Sequence, residues 1–189
     1  MPLVSATLIA GYDGETRDRL ARALTDAVVT VVPAAPDAVI VTLNELAPDQ
    51  WYRGGTQRRP APALPDPAAV ALDFLRAMEA RDLDTARSHL GAGFVMTFPT
   101  GKRMTDLQEM VDWSATRYQG VTKSFERVET VPGSPAVVWC FGTLAGRWPD
   151  GAPFSGIRFT DRFEITAGRI TRQDVWNDMA SAAAARETS

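Results

Sequence analysis

Apolar residues at every second position over residues 3–10 predict a first strand. Over residues 15–32 they recur at the spacing of an amphipathic helix, and a second, β-branched strand follows over residues 39–46. A strand, a helix and a strand of these lengths imply a parallel pair with a right-handed crossover. Because two strands and one helix cover little apolar area, we expect this part to assemble into a homo-oligomer.

Proline occupies four of the eight positions from Pro60 to Pro67, which predicts a stiff, extended connector. The end of this connector favours a helix start, because Asp66 suits the N-cap and proline suits the first helical position. The expected organisation is a β-α-β module, a linker, a second domain and a frayed tail. Their expected bounds are 1–59, 60–66, 67–179 and 180–189.

The second domain is expected to begin with helices and to continue with strands. A first helix is predicted over residues 67–80, a short one after Asp84, and a third that begins with Thr105 and Gln108, which have capping-box spacing. Four strands separated by turn residues are then predicted. They lie at about residues 121–130, 136–148, 154–166 and 169–178. Helices followed by antiparallel strands are typical of an α+β fold.

Charge and composition argue against several kinds of partner. The net charge of −3 is spread evenly along the chain, so neither part has the basic surplus of a nucleic-acid-binding domain. One histidine and one cysteine cannot form a His/Cys metal cluster within one chain, and we expect no cofactor. No run reaches the roughly 20 apolar residues of a membrane span, and no signal-peptide pattern is present. We predict a cytoplasmic protein that acts on a small molecule.

Pro2 is the first candidate for chemistry. Methionine is expected to be removed before a residue as small as proline, which would leave a secondary amine at the start of a strand. An α-amino group titrates at about pH 8, and an apolar pocket lowers its pKa by disfavouring the charged form. A neutral amine of this kind can act as a general base. Proline after methionine is also common in proteins without any such role.

The context of Pro2 resembles the 4-oxalocrotonate tautomerase family over residues 2–60. The resemblance is carried by Pro2, Gly11, the β-α-β pattern and the run Trp51-Tyr52-Arg53-Gly54-Gly55. It implies that Pro2 moves a proton between the enol and keto forms of a substrate. It also implies that Trp51 is the aromatic residue of the pocket.

Two departures from that family change the expected substrate. Tyr12 and Ile40 stand where the founding enzyme has arginines that bind carboxylates. We therefore expect a fairly apolar keto or enol compound, held by Tyr12, Ile40 and Trp51, rather than a small dicarboxylate. Arg53 is a candidate replacement cation, as are Arg58 and Arg59, and each is equally well explained as a solvated surface charge.

Residues 67–179 resemble the nuclear-transport-factor-like superfamily, which includes ketosteroid isomerase and the SnoaL-type polyketide cyclases. The resemblance is carried by Phe74, Arg81-Asp82-Leu83-Asp84, Phe98-Pro99-Thr100-Gly101, Thr160-Asp161-Arg162-Phe163, Gly168-Arg169-Ile170 and Trp176-Asn177-Asp178. It implies a cone-shaped α+β domain around an apolar cavity. Of the isomerase's catalytic positions, the base and the tyrosine fall on Phe98 and Phe74, and only an oxyanion-hole aspartate finds a match, at Asp161.

Asp161 is predicted to lie in an apolar row of its strand. Alternation places it on one face with Ile157, Phe159, Phe163 and Ile165. An isolated carboxylate there is costly unless it is protonated or paired. Two interpretations stay open: an acid in the pocket, or the partner of a nearby arginine such as Arg158.

Tyr118 and Asp178 are further candidates for substrate binding in this second domain. The leading hypothesis is a cofactor-free tautomerase that uses Pro2. One alternative gives catalysis to Asp161 and Asp178 in a SnoaL-like isomerase or cyclase, with the N-terminal module serving only for oligomerisation. Another alternative is a second domain that binds a ligand without turnover.

Overall fold

The computed structural model describes residues 1–187, and the chain forms two compact units. The first ends at Ala63 and the second begins at Leu64. Residues 58–66 form neither helix nor strand, as the prolines of this segment predict. The division falls within the expected linker.

The N-terminal unit is a β-α-β module followed by a small hairpin. Its elements are β1 (Leu3–Ile9), α1 (Gly14–Val31), β2 (Ile40–Leu46), β3 (Tyr52–Arg53) and β4 (Thr56–Gln57). β1 and β2 are parallel, as the pattern predicts, and Leu3 lies opposite Ile40. Gly54 and Gly55 link β3 to β4 with φ angles of 59° and 73°, the left-handed conformations that a two-residue hairpin turn requires.

No side chain of residues 1–63 is fully buried. One face of the β1–β2 pair is half covered, while the other carries Leu3 and Ile40, which are 65% and 42% exposed. A module with no fully buried residue has not completed a hydrophobic core. Assembly into a homo-oligomer stays a prediction for this unit.

The C-terminal unit packs helices against one curved sheet. Its elements are α2 (Pro67–Glu79), α3 (Leu83–Ser88), β5 (Leu90–Thr97), β6 (Arg103–Met104), α4 (Leu107–Ala115), β7 (Gly120–Val131), β8 (Ala136–Arg147), β9 (Pro153–Thr166), β10 (Arg169–Asn177) and α5 (Met179–Glu187). The six strands run in the order β6-β5-β10-β9-β8-β7. On the inner face of this sheet, the Phe74 ring of α2 lies 6.0 Å from the Phe163 ring of β9. The predicted α+β class is confirmed.

Three features differ from expectation. β5, which pairs parallel with β10, was not predicted, because two glycines interrupt the apolar pattern of its sequence. The N-cap of α4 is Asp106, which accepts a hydrogen bond from the Gln108 amide at 2.6 Å, so the predicted Thr105 capping box is wrong. A helix, α5, covers most of the segment expected to fray, since alanine has the highest helix propensity. The last two residues of that segment, 188–189, lie outside the described residues.

Of the helices within residues 1–187, none combines the length and the apolar character that crossing a membrane demands.

Candidate functional site

Pro2 lies at the start of β1, where it is half buried. Its carbonyl oxygen accepts a hydrogen bond from the Ile40 amide at 3.0 Å, so the first residue of β2 fixes its backbone. The backbones of Pro2 and Ile40 are therefore adjacent, while the register places the Ile40 side chain on the same face as that of Leu3. In the structure Met1 precedes Pro2 and is 91% exposed.

The other predicted site residues of this unit lie at the opposite end of the two strands. Tyr12 comes three residues after the end of β1, and seven residues at about 3.3 Å each separate the ends of that strand by roughly 20 Å. Trp51 and Arg53 follow the end of β2, which runs parallel to β1. A single copy of this module therefore separates Pro2 and Ile40 from Tyr12, Trp51 and Arg53.

The C-terminal unit forms a partly open cavity of about 250 Å³ between its helices and the inner face of its sheet. Most of the wall is apolar. Apolar lining residues include Phe74, Met78, Met96, Met110, Phe159 and Val175. Phe74 and Phe98, onto which the resemblance to ketosteroid isomerase would place its tyrosine and its base, both line this cavity, and neither side chain is ionisable.

Lys123, which was not among the residues predicted from the sequence, brings a charge into this cavity. It lies on β7 between the inward-facing Val121 and Phe125 and is itself only 19% exposed. Its Nζ atom donates a hydrogen bond to Asp161 Oδ2 and lies 4.3 Å from the centre of the Phe159 ring. The alternation of β7 was the available signal, because it places Lys123 on the apolar face of the strand.

Asp161 is fully buried behind Lys123 in the middle of β9. The predicted apolar row is present, since Ile157, Phe159, Phe163 and Ile165 are all buried too. The partner of Asp161 is Lys123 rather than the suggested Arg158. Its second oxygen, Oδ1, has no hydrogen-bond donor within the described residues. Asp161 thus meets the cavity through Lys123 and does not line it.

The remaining two candidates of this unit have different environments. Tyr118 lines the cavity, and its role in substrate binding stays a prediction. Asp178 does not, because its carboxylate accepts a hydrogen bond from Arg158 Nε at 2.7 Å in a solvent-exposed pair. Its chain neighbour Asn177 lines the cavity instead.

Cys140 lies opposite Asp161 on the neighbouring strand β8 and is fully buried. Burial, together with the adjacent Asp161 carboxylate, raises the pKa of this thiol from 9.0 to about 12. The thiol is therefore neutral at physiological pH and serves packing, as the apolar run around it indicates.

Residues 2–58 match the family described as Tautomerase enzyme. This match begins at Pro2 and ends just after β4. No curated protein matches the chain.

The solved structures similar to this chain include NTF2-like proteins and SnoaL-like polyketide cyclases. An NTF2-like protein from Burkholderia thailandensis is 17% identical, with a TM-score of 0.54 over 65% of this chain and 98% of its own. A SnoaL-like polyketide cyclase from Shewanella putrefaciens is 12% identical, with a TM-score of 0.53 over 67% and 88%. TerC, co-crystallised with polyporic acid, is 16% identical, with a TM-score of 0.54 over 63% and 97%. At these identities the similarity shows the fold alone, so the chain joins a tautomerase-like segment to an NTF2-like fold.

Proposed function

We propose that this protein is a keto–enol tautomerase in which Pro2 is the general base. The observation that carries the proposal is the tautomerase family match, which begins at Pro2, the residue that opens the parallel β-α-β module. The proposal requires that Met1 is removed, because only then does Pro2 carry a basic nitrogen. A neutral secondary amine can take a proton from one atom of the enol system and return it to another, so that no cofactor is consumed.

The proposed substrate is a small and fairly apolar carbonyl compound. Ile40 beside Pro2 offers an apolar contact, while Tyr12 and Trp51 offer aromatic ones and Arg53 a cation for the carbonyl or enol oxygen. These residues lie at opposite ends of the strands in one copy. A complete site therefore requires that a second copy brings its Tyr12 end to the Pro2 end of the first, which makes homo-oligomerisation part of the proposed mechanism.

Ketonisation of phenylenolpyruvate by the full chain tests the role of Pro2. Pro2→Ala is the informative variant, since alanine also permits removal of Met1 and leaves a free amine without the proline ring. We expect kcat/KM to fall by up to roughly 10²–10⁴, the usual contribution of a well-placed general base, because the primary amine of alanine lacks the ring that fixes the direction of the lone pair. Arg22→Gln, on the exposed side of α1, is the matched control and should keep the native rate. Intact mass must show that Met1 is absent from each sample, and equal rates for native protein and Pro2→Ala would refute the proposal.

A second candidate function belongs to the C-terminal cavity. The observation that favours it is the Lys123–Asp161 pair, which places an ionisable group against an otherwise largely apolar wall. In this alternative the cavity carries SnoaL-like isomerase or cyclase chemistry, or binds a ligand without turnover, and the N-terminal module serves assembly. Turnover that survives Pro2→Ala but is lost in Asp161→Asn would favour this function over the first.

A further inference from the structure

We propose that Lys123 anchors an apolar monoanion, a carboxylate or an enolate attached to one or two rings, inside the C-terminal cavity. This inference deepens the second candidate function as a binding event and is independent of Pro2. The bound group would place its charged oxygen on Lys123 Nζ and its rings against the apolar wall.

The position of the Lys123 ammonium group supports its role as an anchor. Lys123 lines the cavity, yet its side chain is four-fifths buried, with Nζ lying over the Phe159 ring. An ammonium group has three N–H donors, and one of them is used by Asp161. The remaining donors have an anion or a carbonyl oxygen as their natural acceptor.

The charge of the residues around the cavity favours an anionic ligand. Its lining includes three cations, Arg81, Arg117 and Lys123, and one anion, Glu79. Asp161 supplies a further negative charge behind Lys123, so the group of five charged residues has a net charge of +1. One negative charge on a ligand neutralises this surplus, whereas a cationic ligand would increase it.

The Lys123–Asp161 pair contributes little to stability by itself, which favours a role in ligand binding. Desolvation of two buried charges offsets most of their attraction, and apolar residues of similar size often stabilise a fold as well or better. Only one oxygen of the Asp161 carboxylate accepts a hydrogen bond, since Oδ1 has no donor among residues 1–187. What Asp161 does achieve is to hold Lys123 Nζ against the cavity, so Asp161 is a positioning residue for the proposed anchor.

The size of the cavity limits the ligand. A volume of about 250 Å³ lies just below the range of roughly 300–1,000 Å³ for sites that take drug-sized molecules. The rings of Phe159 and Phe74 favour flat, apolar groups. These limits select a one- or two-ring compound.

Calorimetric titration with 2-naphthoate and 2-naphthamide tests the proposal. The two probes share a ring system and differ in the charge of the group that would meet Lys123. We expect native protein to bind the carboxylate about tenfold or more tightly than the amide, because hydrogen bonds to charged groups are the stronger class. Lys123→Arg should keep this preference.

Removal of the anchor should weaken the preference. In Lys123→Met combined with Asp161→Leu, both charges are replaced by apolar groups of similar shape. Arg81, Arg117 and Glu79 keep the net charge of the lining at +1, so only the direct hydrogen bond to the ligand is lost, and the preference for the carboxylate should fall by about tenfold. The sequence has one other lysine, Lys102, which is paired with Glu109 at 2.8 Å outside the cavity. Lys102→Met is therefore the matched control and should keep the preference.

Three results would overturn the inference: no binding of naphthoate to native protein, equal affinity of native protein for both probes, or a preference that is as large in the double variant as in native protein. None of these readouts depends on turnover or on Pro2. A failure here is thus distinguishable from a failure of the tautomerase proposal.

Discussion

The Lys123–Asp161 pair predicts a strong energetic asymmetry between single and double substitutions. Lys123→Met leaves the Asp161 carboxylate fully buried, and the described structure then offers no donor to either of its oxygens. An uncompensated buried charge of this kind costs about 3–5 kcal/mol of unfolding free energy. A typical domain has only about 5–15 kcal/mol in total, so this single substitution should remove a large part of the stability of its unit.

Replacing both partners should restore most of that loss. Leucine has the branching of aspartate, and methionine approximates the length of lysine, so Lys123→Met with Asp161→Leu removes both charges and keeps the wall filled. We expect the double variant to lie within about 1–2 kcal/mol of the native protein, because apolar replacement of a buried pair is often neutral or stabilising. The coupling free energy between the two substitutions should then be about 3 kcal/mol or more, at or above the upper end of the roughly 0.5–3 kcal/mol that is usual for residues in contact.

Urea unfolding followed by tryptophan fluorescence measures these differences. Trp51→Phe as the common background leaves tryptophans only in the C-terminal unit, at positions 113, 139, 148 and 176, so the signal reports that unit. Lys102→Met should change the unfolding free energy by less than about 1 kcal/mol, since its ion pair is exposed. The reasoning is refuted if Lys123→Met costs no more than Lys102→Met, or if the double variant is as unstable as Lys123→Met.

Two further predictions concern β8. A Cβ atom at Gly142 would lie 1.9 Å from the Ser124 carbonyl oxygen. Gly142→Ala should therefore lower the unfolding free energy, measured by urea titration, by about 1–3 kcal/mol. Gly120→Ala is the control and should cost less than about 1 kcal/mol, because nothing lies within 4 Å of a Cβ atom there. Cys140 has a pKa of about 12 when folded against a reference of 9.0, so the unfolded thiol loses its proton first as pH rises. Native protein should therefore lose stability relative to Cys140→Ala by up to about 1.4 kcal/mol per pH unit between pH 9 and 12, and parallel profiles for the two proteins would contradict this assignment.

The elements that the sequence predicts well are those whose side chains obey one period throughout. The last four strands, β7 to β10, were predicted to within one or two residues, because each alternates between the inner and outer faces of the sheet and ends at a turn. β5 lacks such a pattern: Gly91 and Gly93 replace side chains that would have marked its faces. Gly93 has a φ of 72°, so at this position the strand also departs from the conformation that other residues adopt.

The candidate site was predictable only in part, and for a related reason. A face can be assigned from one strand, and this is how the apolar row around Asp161 was found. The ion-pair partner of Asp161 could not be found in this way. Lys123 is 38 residues away on β7, which is separated from β9 by the intervening β8. The side-chain direction of Asp178 could not be predicted either. A residue at the end of a strand can turn outward, as Asp178 does here toward Arg158.

The two units differ in what one copy of the chain can accomplish. The C-terminal unit has a buried core, a cavity and a charged group against that cavity, all from one chain, so its binding properties are open to test in any oligomeric state. The N-terminal unit has no fully buried side chain, and its candidate residues are placed toward opposite ends of strands that are roughly 20 Å long, so the proposed Pro2 chemistry depends on the proposed assembly. A substitution on the open face of the β1–β2 pair, at Leu3 for example, should therefore abolish tautomerase activity through loss of assembly while leaving ligand binding by the C-terminal cavity intact. Pro2→Ala should instead abolish activity within an assembly of native size, and size-exclusion chromatography beside the ketonisation assay separates the two causes.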